Sequence, residues 1–102
     1  MRIMVVDPND MGRRDLVAML RWYGIAVVSF AHASTALLFL LARLDWFDGV
    51  LVNDDEEECS TWLRRRVECV STAVPVVPYS GRHLEEGAWD DPLLAQVESR
   101  MG

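Results

Sequence analysis

The segment Phe47-Asp48-Gly49-Val50-Leu51-Val52-Asn53 decides the fold. Three apolar residues, two of them β-branched, follow a glycine and stop at an asparagine. A short apolar run with no polar alternation reads as a strand buried on both faces. Such strands belong to parallel sheets, where each strand reaches the next through a crossover, usually a helix. The acids Asp54 to Glu58 come next, and Arg64, Arg65 and Arg66 stand toward the end of the same segment. Acid first and base last complements a helix dipole, so the stretch is a strand followed by a helix.

The same alternation extends outward on both sides. Ile3-Met4-Val5-Val6 is a second run of the buried type, and Asp7-Pro8-Asn9-Asp10 after it reads as a helix start. Asp7 or Asn9 would be the N-cap, with Pro8 just inside. Leu16, Met19, Leu20 and Tyr23 recur with helical spacing, and Gly24 stops that helix. Ile25 to Phe30 is a further strand, and Ser34 or Thr35 can cap a helix running to about Leu44. Beyond the opening segment, Val74-Pro75-Val76-Val77-Pro78-Tyr79 is a fourth strand, closed by Ser80-Gly81. Asp91-Pro92 opens a last helix with Leu93, Leu94, Val97 and Met101 on one side. Strands alternating with helices predict one α/β domain over residues 1–102, with a parallel sheet and right-handed crossovers.

Composition narrows the function classes. The 102 residues are 51% apolar and 25% charged, the profile of a globular domain. The net charge of −6 argues against direct nucleic-acid contact, which needs a basic surface. The two cysteines, Cys59 and Cys69, lie ten positions apart in one helical segment. That is about 15 Å of rise, too far for a disulfide. With only two histidines, His32 and His83, there is no zinc-spaced cluster. The chain enters a strand at once with no signal peptide, and its longest apolar run, Ala36 to Ala42, falls far short of a membrane span. A cytoplasmic protein with no membrane contact is the expectation.

Order and spacing of these pieces resemble the receiver domain of bacterial response regulators. The match rests on Val5-Val6-Asp7, Phe47 to Asn53 and Val74 to Ser80, and covers about residues 2–81. It implies a CheY-like, flavodoxin-like, doubly wound parallel sheet with strand order 2-1-3-4, followed in the family by a fifth strand. The family is usually longer. The shortfall falls between Ser80 and Asp91, so the fourth helix and fifth strand are expected to be shortened or missing. Pro78 agrees, because a proline is tolerated mainly in an edge strand.

Four departures bear on function. The family holds Mg²⁺ with an acidic pair after the first strand; here the pair is Asp7-Pro8. Its phosphoacceptor Asp ends the third strand; here that position is Asn53, and an amide cannot accept a phosphoryl group as a carboxylate oxygen does. The family's Ser/Thr at the end of the fourth strand is present, as Ser80. Its Lys has no counterpart, since all ten positive side chains are Arg. A slip of one residue would put Asp54 at the acceptor position instead. Phe47-Asp48, matching the family's aromatic-acid step, anchors the register that selects Asn53.

The expectation is therefore a degenerate, phosphorylation-independent receiver with no enzymatic role, no catalytic residue, no cofactor and no bound metal. Its degenerate phosphoacceptor site comprises Asp7, Pro8, Asn53, Asp54 and Ser80. It would regulate a bacterial signalling protein or transcription regulator, with an effector domain in the same chain or a partner protein. The run Leu37-Leu38-Phe39-Leu40-Leu41 covers all sides of a helix, so some of it must be exposed. That predicts a homodimer, with Leu37, Phe39, Leu40 and Val76 as interface candidates. Two alternatives stay open: a phosphoacceptor using Asp54 with Asp7 and Mg²⁺, or a sensor of a small ligand at the strand C-termini.

Overall fold

A computed structural model of the chain describes residues 1–53, 57–70 and 74–79. In chain order its elements are β1 (Arg2–Val6), α1 (Asp10–Trp22), β2 (Ala26–Phe30), α2 (Ala33–Leu41), a 3₁₀ turn (Leu44–Trp46), β3 (Gly49–Asn53), α3 (Glu57–Glu68) and β4 (Val76–Tyr79). The four strands form one sheet in the order β2-β1-β3-β4, every neighbouring pair parallel. This is the expected CheY-like arrangement. The expectations about a fourth helix, a fifth strand and a helix from Asp91 concern residues outside those described.

Pleating sorts the strand side chains into two layers. Ile3, Val5, Leu51, Val77 and Tyr79 face α1, where Leu16, Val17 and Leu20 cover them. Met4, Val6, Val50, Val52, Val74 and Val76 face α2 and α3, under Ala36, Leu40, Leu63 and Val67. Strands without polar alternation thus supply two cores from opposite faces. No helix among the described residues is long and apolar enough to cross a membrane.

Several boundaries differ from the sequence reading. Asn9, not Asp7, caps α1: its side chain accepts from the Gly12 N–H. Val17 completes the buried face of α1, whereas Tyr23 is the exposed C-cap. The helix ends in a Schellman motif. The Gly24 N–H donates to Arg21 O and the Ile25 N–H to Leu20 O, with Gly24 at φ +80°. Helix α2 begins at Ala33, because β2 runs to Phe30 and leaves only two residues to turn. Its N-cap is His32, which makes no side-chain cap bond, so Ser34 and Thr35 fall inside the first turn. It also stops short of Leu44: the Arg43 N–H donates to Leu40 O and the Trp46 N–H to Arg43 O, tightening the chain into the 3₁₀ turn.

Two interface candidates prove to be core. Leu40 is fully buried and Val76 nearly so, both in the layer beneath α2 and α3. Val76 is covered because α3 packs against β4 and brings Leu63 and Val67 into the same layer. Phe39 is half-buried, its ring 5.2 Å from Phe30 and 6.0 Å from Phe47. Leu37 is likewise half-buried.

Pro78 sits where its missing donor does least harm. The Val50 N–H donates to Pro75 O. In a parallel ladder the direction of the N–H groups alternates along the strand. The N–H groups of Val77 and Tyr79 therefore face β3, and the Pro78 nitrogen faces outward. Among the described residues that is the free side of the sheet.

Candidate functional site

Register brings the candidate site together. Val5 pairs with Leu51 and Val6 with Val52, so the next residues, Asp7 and Asn53, lie side by side. Asn53 in turn pairs with Tyr79. Because side chains alternate, the three belong to the face of Ile3, Val5, Leu51 and Val77. They meet at the C-terminal ends of three adjacent strands, at the edge of the α1 core.

Asp7 is fully buried, and donors surround its carboxylate. Oδ1 accepts from the Asn9 N–H at 2.8 Å and from Asn53 Nδ2 at 3.1 Å; Oδ2 accepts from the Tyr79 hydroxyl at 2.6 Å. The backbone is held as tightly. The Asp7 N–H donates to Phe30 O at 3.0 Å, adding one rung to the β1–β2 ladder. Arg13 Nη1 donates to Asp7 O at 2.8 Å while Nη2 pairs with Asp10 at 2.6 Å, bracing the turn from β1 into α1. A buried carboxylate is costly unless hydrogen bonds replace its hydration, and three donors do so here.

Of the five residues expected from sequence, the structure joins Asp7 and Asn53. Pro8 is exposed at the rim, and Asp54 and Ser80 lie outside the described residues. Tyr79 is the member that sequence reasoning missed. A signal for it exists: it shares the alternation of Val77 and stands level with Asn53 once the fourth strand is placed.

The chemistry of this set does not fit a divalent cation. A metal ion needs oxygen lone pairs converging on it, whereas Asn53 Nδ2, the Asn9 N–H and the Tyr79 hydroxyl aim hydrogens at Asp7. Their positive ends point toward Asp7, which is the only carboxylate of the cluster among the described residues. No group of three or more His, Cys, Asp or Glu side chains suited to a metal occurs among the described residues.

Beside the cluster lies a small open cleft of about 100 Å³. Val6, Pro8, Ala33 and Val52 wall it, and His32 and Asn53 also line it. It opens where the chain passes from β2 through α2 to β3, crossing over β1. In open α/β sheets this switch point is where ligands lie.

No family model and no curated protein matches the sequence. Solved structures do share the fold. The receiver domain of the hybrid histidine kinase CckA is similar at 19% identity, with TM-score 0.57 over 86% of this chain and 95% of that one. A chain in which a yeast Spc42 trimeric coiled-coil segment is fused to another protein aligns at 16% identity with TM-score 0.64. That alignment covers all of the present chain, which spans 64% of the fusion's length. With the 2-1-3-4 parallel sheet, these likenesses show that the chain has a CheY-like receiver fold.

Proposed function

We propose that this is a receiver-type regulatory domain of a bacterial signalling protein that works without phosphorylation. It acts by contact with other proteins, a second copy of itself included, in a cytoplasmic setting, and it catalyses nothing. One observation carries the reading. At the end of β3 stands an amide, Asn53, and it is spent on holding Asp7, with the Tyr79 hydroxyl on the other oxygen. An acceptor site needs a carboxylate there and a cation beside it. This site has hydrogen-bond donors in both places, and the chain has no Lys to meet a phosphoryl group.

The test is incubation of the full chain with acetyl phosphate and Mg²⁺, read by intact mass. No stoichiometric gain of one phosphoryl group is expected. A gain abolished by Asp54→Ala would overturn the reading and make the domain a phosphoacceptor using Asp54.

The cleft beside Asn53 favours a second reading, a sensor of a small ligand with an apolar body and one polar end. Its walls are apolar, its polar groups few, and it lies at the switch point. The amides of Ala31 to Ala36 are the reporters. Short-chain carboxylates and the matching alcohols, titrated by NMR, should shift them under this reading, and Val52→Phe should abolish the shift. No shift with either series removes it.

A further inference from the structure

We propose that the outer face of α2, continued by the turn to Trp46, is the surface on which two copies of the chain pair about a two-fold axis. The proposal rests on the reading of the domain as one that works by protein contact. Helix α2 lays Ala36 and Leu40 on the sheet. With 3.6 residues per turn, its opposite side carries Ser34, Thr35, Leu38, Leu41 and Ala42, all exposed. Leu38 is 73% exposed and Leu41 39%, and Trp46 follows at 53%.

Charge decides the occupant. Each copy carries −6, yet Ala33–Leu41 contains no charged residue. It is a face across which two like-charged copies can approach without opposing acids. Near a two-fold axis each residue meets itself, so a charged residue there would meet its own sign, whereas Leu38 meets a leucine.

The uncharged stripe ends in two charges of opposite sign, Arg43 and Asp45. Among the described residues neither has an ion-pair partner, the pair there being Arg13–Asp10. The Arg43 guanidinium is already ordered: it lies 4.0 Å from the Phe39 ring and 5.3 Å from the Trp46 ring, and Nη1 donates to Phe39 O at 3.4 Å. A two-fold operation can set Arg43 of one copy against Asp45 of the other and repeat the pair in reverse. An exposed tryptophan beside a pre-ordered arginine is the kind of anchor that dominates measured interfaces.

Sedimentation equilibrium of the full chain, from low to high micromolar concentration, tests the surface. The native chain should dimerise. Leu38→Glu should raise the dimer dissociation constant about tenfold or more, with unchanged circular dichroism. Arg43→Glu should weaken the dimer, and Arg43→Glu combined with Asp45→Arg should restore it. In a chain with Cys59→Ser and Cys69→Ser, Leu38→Cys should oxidise to a covalent dimer. A native chain that stays monomeric overturns the two-fold contact, leaving phosphorylation independence to the acetyl phosphate experiment. A dimer indifferent to Leu38→Glu, with no cross-link at position 38, keeps association and overturns this face. Failure of the double charge reversal to restore the dimer overturns the Arg43–Asp45 pairing.

Discussion

Asp7 is where single atoms matter most. Its carboxylate is withdrawn from water and satisfied by the Asn9 N–H, the Asn53 amide and the Tyr79 hydroxyl. Removing one partner leaves the rest of a buried network short, at about 1–3 kcal/mol per unsatisfied group. Tyr79→Phe is expected to lower stability by about that amount, measured by urea unfolding. Asn53→Asp should do more harm, since it replaces a donor 3.1 Å from Oδ1 with a second carboxylate. Two carboxylates so close resist joint ionisation, which raises the proton affinity of one of them. The deficit relative to the native chain should therefore be large at neutral pH and shrink as acid supplies a proton. A deficit that grows on acidification would show that the two side chains do not face each other. The same variant should not gain phosphotransfer, because Pro8 still stands where the second acid would be and no Lys is present.

Helix ends and helix faces carry the next set of expectations. Gly24 holds φ +80° in the Schellman motif, a conformation that costs an L side chain about 1–2 kcal/mol. No atom would meet a Cβ there, so Gly24→Ala should lose about that amount through backbone strain alone. Helix α2 offers a comparison within one element. Leu40 is fully buried and Leu38 is not. Leu40→Ala should cost about 2–5 kcal/mol, and Leu38→Ala within about 0.5 kcal/mol when both are unfolded at concentrations too low for pairing. Equal losses would mean that α2 is rotated on the sheet.

For the whole molecule, topology determines what the site can be. The β2-β1-β3-β4 order places the ends of β1, β3 and β4 together, and among the described residues it joins one acid, one amide and one phenol there. Millimolar Mg²⁺ is expected to leave the NMR resonances of Asp7 and Asn53 in place. Clear shifts centred on them would contradict the donor geometry around Asp7. Pro78 faces its bare nitrogen to the free side of β4, so a strand pairing there would lack one rung.

Local sequence determines much of this architecture. Val50-Leu51-Val52 and Ile3-Met4-Val5-Val6 are strands because they have no polar face, and a parallel sheet is the setting that buries both sides. The stop at Gly24 follows from the one residue that tolerates its backbone angle. Asn53 as the residue level with Asp7 follows from the length of two strands. Tertiary structure alone decided the rest. The run Leu37 to Leu41 covers every side of α2, so it carries no mark of which leucine is inside; only packing on the sheet buries Leu40 and exposes Leu38. Nothing in the sequence around Val76 shows that α3 lies over it. Tyr79 reads as one more strand residue, and its hydroxyl acquires a role only when β3–β4 pairing brings it within 2.6 Å of a buried carboxylate, because hydrogen bonds between distant residues depend on register and register is set by the whole sheet.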